Sequence, residues 1–280
     1  MEIGQDKFKF SLVLSVYKND SVEHFVQALE SCLNQTLLPD QLIVVVDGPI
    51  GDDLRQTIEY FNLQYSFIEP LFLKENIGRG AAKNHAITHS KYDFIAIMDA
   101  DDICLPNRFE MQKKFLMTNP KIDCVGSYIE EFNAIPGDLG IIRKVNLKHD
   151  DILIQGKYRQ SMNHVTIMFK KQVFFSVGGY SSLRYTEDFI YFTKLLISGA
   201  TFANLPVVLV YARVAENQFK KRTGMKYFKE ELSVFKLMYN SKYISLLTFF
   251  MNVLIRLILR FSPSIVLTLV YNNLLRKRVQ

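Results

Sequence analysis

Three short stretches of this 280-residue chain hold side chains able to do chemistry together. The first is Asp99-Ala100-Asp101-Asp102, which ends the apolar run Phe94–Met98. A D-x-D pair at the edge of a buried run is partly desolvated and self-repelling, which is costly unless a cation or a donor-rich ligand compensates it. Mg²⁺ or Mn²⁺ suits such a pair, because these hard ions take one or two carboxylates and fill their other positions with phosphate oxygens and water. By itself the same tripeptide also serves as a helix cap or a solvated turn.

The second stretch is Glu75–Asn84 (ENIGRGAAKN), a glycine-containing turn that runs into a helix start. Free N–H groups and the positive dipole end there favour an anion, and Arg79 and Lys83 add charge at helical spacing. An ordinary loop with solvated basic residues would look the same. The spacing is neither a dinucleotide G-x-G-x-x-G nor a P-loop, which argues against dehydrogenase and NTPase readings. The third stretch is Thr186-Glu187-Asp188 at the head of an amphipathic helix. Acids in a first turn stabilise the helix dipole, and one beside a diphosphate site is also placed to take a proton from a hydroxyl. His164 opens a strand-like segment and has a supporting place. Tyr17 and Asn19 follow the first strand.

The elements that must position these residues alternate through the first half. Strand-like runs at Phe10–Val16, Gln41–Val46, Tyr65–Ile68 and Phe94–Met98 are separated by helical patterns. Those patterns follow Asp20, read as an N-cap with Glu23 three residues on, and cover Leu54–Phe61, Gly80–Thr88 and Asn107–Thr118. The alternation predicts an α/β fold of the Rossmann type, a mixed and mainly parallel sheet flanked by helices. Ligands of such sheets bind beyond the strands' carboxyl ends, where Asp47 and Asp99 both fall. Later, Cys124–Phe132, His164–Phe169 and Phe202–Val210 read as strands, Glu187–Ser198 and Met225–Met238 as helices, and Gly178-Gly179-Tyr180 as a turn.

The chain is 49% hydrophobic and carries a net charge of +6, which permits a sizeable core and favours an anionic partner. Three cysteines without metal-ligand spacing and a polar start, Met1–Lys9, point to a reducing compartment. Basic charge alone fits nucleic acid, but an acidic rim does not, so no nucleic-acid partner is expected.

Five motifs in order, SVYKND, VVVDG, ENIGRGAAKNHAI, MDADD and TEDF, give residues 8–215 a resemblance to the family-2 glycosyltransferases of GT-A fold, most closely the bacterial enzymes that extend lipid-linked O-antigen, capsule or exopolysaccharide units. The resemblance implies a catalytic domain over 1–215, with a nucleotide-binding part at about 8–120 and an acceptor part at about 121–215. It implies that Ser15, Tyr17 and Asp47 hold the nucleoside, Asp47 on the base, while Gly78, Arg79, Lys83, Asn84 and Asp99 line the diphosphate site. Asp99 and Asp101 would be the D-x-D pair, with Asp101 or Asp102 the direct ligand of Mn²⁺ or Mg²⁺. Asp188 would be the base of an inverting displacement, with Glu187 facing the acceptor and His164 beside it. The implied partners are a UDP-sugar and a polyprenyl-diphosphate-linked glycan. The Q-x-x-R-W type of motif of processive members is missing, and the chain contains no tryptophan, so transfer of a single sugar is expected.

Residues 216–280 form a basic, amphipathic extension. In Tyr243–Tyr271 the residues Asn252, Arg256 and Arg260 mark one polar stripe among leucines, isoleucines and phenylalanines, before Pro263 breaks the pattern. A spanning helix would bury Arg256 at a cost of roughly 2.5–3.5 kcal/mol. The expectation is therefore a helix lying in the membrane surface with its arginines at the headgroups, helped by Lys220–Lys229 and Arg276–Arg278. The location expected is peripheral, at the cytoplasmic face of the inner membrane. Two rivals are a sugar nucleotidyltransferase, which lacks its glycine-rich loop here, and a membrane-bound scaffold with a decayed site, which would lack one of the key acids.

Overall fold

The computed structural model describes residues 8–214 and 223–262, with the backbone of 277–278. The readings on Met1–Lys7, Lys220–Arg222 and the run after Ser262 lie outside the described residues, save that backbone.

The first half alternates as expected: β1 (Phe10–Val16), α1 (Val22–Leu33), β2 (Gln41–Val46), α2 (Asp52–Gln64), β3 (Ile68–Phe72), α3 (Arg79–His89) and β4 (Phe94–Asp99). The second half holds β5 (Ile103–Cys104), α4 (Arg108–Thr118), β6 (Cys124–Phe132), β7 (Ile141–Arg143), α5 (His149–Gly156), β8 (Met168–Lys170), α6 (Lys171–Ser176), α7 (Glu187–Ile197) and β9 (Phe202–Arg213). Two long helices, α8 (Gly224–Asn240) and α9 (Leu246–Phe261), precede a last two-residue strand, β10 (Lys277–Arg278).

One mixed sheet runs in the order β10-β7-β6-β8-β4-β1-β2-β3, with β9 joined to β6 and β5 to β9. β3, β2, β1 and β4 are mutually parallel, and β8 then reverses direction against β4. Leu12, Leu14, Val44 and Val46 enter one apolar cluster, while Val13, Ile43, Val45, Ile95 and Ile97 enter another. Both faces of this parallel part are therefore covered, which is why its strands read as unbroken apolar runs.

Three local readings shift. The N-cap of α1 is Ser21, whose Oγ accepts from the His24 amide; Asp20 instead accepts from the Tyr17 amide at 2.9 Å. The edge strand lies at Ile68–Phe72 rather than Tyr65–Ile68, because an edge tolerates Pro70 in a way that an inner strand does not. His164–Thr166 is a 3₁₀ turn that feeds the short β8.

The largest correction concerns α9. Its polar stripe faces inward: Asn252 Nδ2 donates to the Lys157 carbonyl at 2.9 Å, and Arg256 Nη2 to the Tyr158 carbonyl at 2.8 Å. Arg260 pairs in a two-pronged fashion with the buried Glu231 of α8, at 2.6 and 2.7 Å. The arginines hold the helix on the protein rather than reaching for headgroups. The opposite face is bare, with Leu247 71% exposed and Phe250, Leu254 and Ile258 near 58–59%. Among the described residues, no helix is long and apolar enough to cross a membrane.

Candidate active site

Parallel pairing brings the carboxyl ends of β2, β1 and β4 side by side, with Ser15 opposite both Val45 and Asp99. The residues just beyond, Tyr17, Asp47 and the acidic run from Asp99, therefore share one rim. They line a cleft of about 1120 Å³ whose far side is formed by the 180–189 loop and helix start.

Asp47 organises the loop across from it. Its carboxylate accepts from the Ile77 amide at 2.7 Å, the Gly78 amide at 3.1 Å and Asn76 Nδ2 at 3.0 Å. Gly78 takes φ +93° to start α3, a conformation that favours glycine, and Gly48 has backbone atoms of Asn76 where a Cβ would stand. The amino end of α3 is thereby aimed into the cleft. One turn on, the buried Lys83 reaches Asp99 Oδ1 at 2.9 Å. Burial would raise the Asp99 carboxyl, but the Lys83 ammonium overrides it and holds Asp99 well below the usual carboxylate range.

The next two acids differ. Asp102 is buried and accepts from the Arg213 amide at 2.7 Å, tying the acidic run to the end of β9. Burial, then the charges of Asp101 and Asp99, push its carboxyl well up. Asp101 borders the cleft beside Asp102 and is the exposed one of the two; desolvation and the neighbouring Asp99 charge raise its carboxyl too. Of the two, Asp101 is open to the cleft, and Asp102 is held by the Arg213 amide. Behind the run, the fully buried Arg108 donates to the Ile97 carbonyl at 2.8 Å and contacts Cys104 Sγ at 3.2 Å, pinning β4 to α4.

Across the cleft, Asp188 Oδ1 accepts from the Phe189 amide at 2.8 Å, and the carboxylate lines the opening. Glu187 is buried and pairs with Arg79 at 2.7 Å; burial lifts its carboxyl to about 7 against that arginine's pull. His164 Nε2 meets the Tyr180 hydroxyl at 2.8 Å, and burial and the Lys83 charge press its ring down to about 4, so it is neutral at physiological pH.

The site residues expected from sequence therefore converge, with one exception. Asn84 joins its amide to both the amide and the carbonyl of Tyr180, at 2.8 and 2.9 Å, and does not line the cleft. It braces the Gly178–Ser181 turn, where a Cβ on Gly179 would lie 2.6 Å from Asn84 Oδ1.

Three contributors escaped the sequence reading. Asp20 lines the cleft, and burial lifts its carboxyl to about 7. Arg213 holds the acidic run through its amide and through Nε, which donates to the Asp101 carbonyl at 2.9 Å. Glu230 of α8 accepts from the amides of Arg184, Tyr185 and Thr186 at 2.8–3.2 Å, fixing the loop that leads to Asp188. Only Asp20 carried a signal, as part of SVYKND. The other two act across long separations in sequence.

The family pattern of Glycosyl transferase family 2 matches residues 11–176. The chain belongs to that family. The enzyme is 33% identical, over 98% of its length and 99% of the relative's, to the UDP-Gal:alpha-D-GlcNAc-diphosphoundecaprenol beta-1,3-galactosyltransferase of Escherichia coli. It is 31% identical to the amylovoran biosynthesis glycosyltransferase AmsE of Erwinia amylovora, over 94% of its own chain and 98% of that one. In fold it is similar to S. aureus TarS 1–349 in complex with UDP-GlcNAc, with a TM-score of 0.68 at 16% identity over 95% of this chain and 75% of that one. The mannosyltransferase PcManGT of Pyrobaculum calidifontis, in complex with GDP-Man and Mn²⁺, matches with a TM-score of 0.63 at 14% identity, over 94% and 74% of the two chains. The glycosyltransferase thus has the GT-A fold.

Proposed function

We propose that this enzyme moves one hexose from a UDP-hexose to a hydroxyl of a sugar carried on a lipid-linked diphosphate, with inversion, in surface polysaccharide synthesis. The observation that carries the reading is end-to-end similarity to a relative whose name specifies a UDP-galactose donor and a diphosphoundecaprenol-linked acceptor. The cleft supports it, since donor and acceptor sides face each other with a carboxylate on each.

In this reading, residues 8–120 bind the nucleotide, with Ser15, Tyr17 and Asp47 on the nucleoside. Gly78, Arg79 and Lys83 hold the diphosphate end through the amino terminus of α3 and their own charge. Asp99 and Asp101 would hold a Mg²⁺ or Mn²⁺, a hard ion that takes one or two carboxylates and fills its other positions with diphosphate oxygens and water. The ion would supply positive charge against the leaving diphosphate. Asp188 takes the proton from the acceptor hydroxyl as that oxygen attacks the anomeric carbon. The carbon–oxygen bond to the diphosphate breaks on the opposite face, so configuration inverts. Glu187 and His164 border the acceptor sugar, Glu187 held in place by Arg79. The bare face of α9 lies in the cytoplasmic surface of the membrane, where such an acceptor is embedded.

The test is incubation of the full chain with UDP-galactose, UDP-glucose or UDP-N-acetylglucosamine, Mn²⁺, and N-acetylglucosaminyl-diphosphate on an alkyl chain. One donor should give a disaccharide whose new linkage is β from an α-linked donor. Retained configuration, or UDP release without any disaccharide, would remove the reading.

A further inference from the structure

The lining of the cleft also takes in Glu231 of α8 and Arg256 and Arg260 of α9. Beyond the acidic rim the described lining carries Arg143, Lys144, Arg159, Arg184, Arg256 and Arg260, against the two acids Glu131 and Glu231. Glu231 is shared: Arg256 Nε lies 2.9 Å from it, and Arg260 grips it from the other side. Two guanidiniums on one carboxylate are thereby fixed in place and still border the cleft. Arg256 also donates to the carbonyl of Tyr158, so the backbone that carries Arg159 abuts the helix that carries Arg256.

The outer side of this same helix is the bare apolar face of Leu247, Phe250, Leu254 and Ile258. The cleft thus carries the Asp188 carboxylate and these guanidiniums, and the helix that supplies Arg256 has exposed hydrocarbon on its other face. A ligand complementary to these three features has a sugar hydroxyl, an anionic group and a lipid chain. Arginine forks suit phosphate oxygens in geometry as well as charge.

We propose that Arg159, Arg184 and Arg256 form the binding site for the diphosphate of the lipid-linked acceptor, and that α9 uses its polar edge to build this site while its apolar face meets the membrane. The assignment rests on the lipid-diphosphate acceptor proposed above, and it adds the residues that recognise the acceptor independently of its sugar. It also gives the inward arginine stripe a second use besides docking α9.

The experiment compares two acceptors in detergent micelles: N-acetylglucosaminyl-diphosphate on an undecyl chain, and the neutral undecyl glycoside of the same sugar and anomer. Arg256→Gln should raise the KM for the diphosphate acceptor about tenfold or more, with the KM for the UDP-sugar and for the neutral glycoside unchanged. Arg159→Gln leaves both Glu231 ion pairs in place and should show the same selective loss, which guards against undocking of α9 in the first variant. Equal losses on both acceptors, or none on either, would overturn the site. Loss of binding to phosphatidylglycerol vesicles with an unchanged KM in micelles would also overturn it, assigning the arginines to lipid headgroups. If the unsubstituted chain transfers to neither acceptor, the functional reading falls and this site with it; transfer to both with no preference for the diphosphate removes the site alone.

Discussion

The rim at the ends of β1, β2 and β4 and the helix pair α8–α9 are both built from polar residues spaced along apolar elements, yet they differ in how far the chain foretells them. At the rim, Asp47 directly follows β2 and Asp99 ends β4, and parallel pairing alone gathers the two. At the helix pair, periodicity identifies the stripe Asn252, Arg256 and Arg260 but not its direction. That direction is set by Glu231 and by the carbonyls of Lys157 and Tyr158, which are distant in sequence. A local pattern foretells a site when the strands themselves bring the residues together. It falls short when another element supplies the partner.

The sharpest way to break this comparison is at Asp188. Asp188→Asn should lower transfer by roughly 10³-fold, within the usual range for removal of a general base, while calorimetry finds UDP binding nearly intact. Equal loss of UDP binding would mean that the two walls of the cleft are not functionally separate.

A comparably large effect, on stability rather than rate, is expected in the helix pair. Glu231→Ala leaves the buried Arg260 without its carboxylate and should cost roughly 3–5 kcal/mol, read as a lower urea midpoint. Leu254→Gln on the bare face should leave that midpoint nearly unchanged and weaken sedimentation with anionic vesicles. If instead Leu254→Gln destabilises and Glu231→Ala does not, the helix is oriented the other way.

A smaller effect separates His164 from the acids around it. The ring sits at about 4 when folded, against 6.5 ordinarily, so the unfolded chain takes up its proton first as pH falls. Its contribution to stability is full above about pH 6.5 and disappears between there and pH 4, at most about 3 kcal/mol. Unfolding midpoints of His164→Gln and the parent, measured from pH 7 to 4.5, should converge or cross as the parent alone loses this amount. The groups facing the ring, Tyr180, Lys83, Asp99, Asp188 and Arg79, are common to both proteins.

The smallest expected change has an unusual sign. Asp101→Asn removes an acid repelled by Asp99, so without ligand the protein should melt at the same temperature or slightly higher, yet metal-dependent UDP binding should weaken markedly. A drop in melting temperature would make Asp101 a structural residue like Asp102.

By itself the sequence determined the alternation of strands and helices, the carboxyl-end acids, a helix opening at about Gly80 and another at Glu187, and the existence of an amphipathic tail. These follow from short-range periodicity and from residues adjacent to the elements they serve. It did not tell Asp101 from Asp102, because the difference is an amide of Arg213 111 positions away in the chain. Nor did it show that Asn84 holds a turn, that Glu230 fixes the approach to Asp188, or which way α9 faces. Tertiary structure decided those matters, because a polar side chain near the core settles wherever its hydrogen bonds are completed, and here the completing partners come from elements far along the chain.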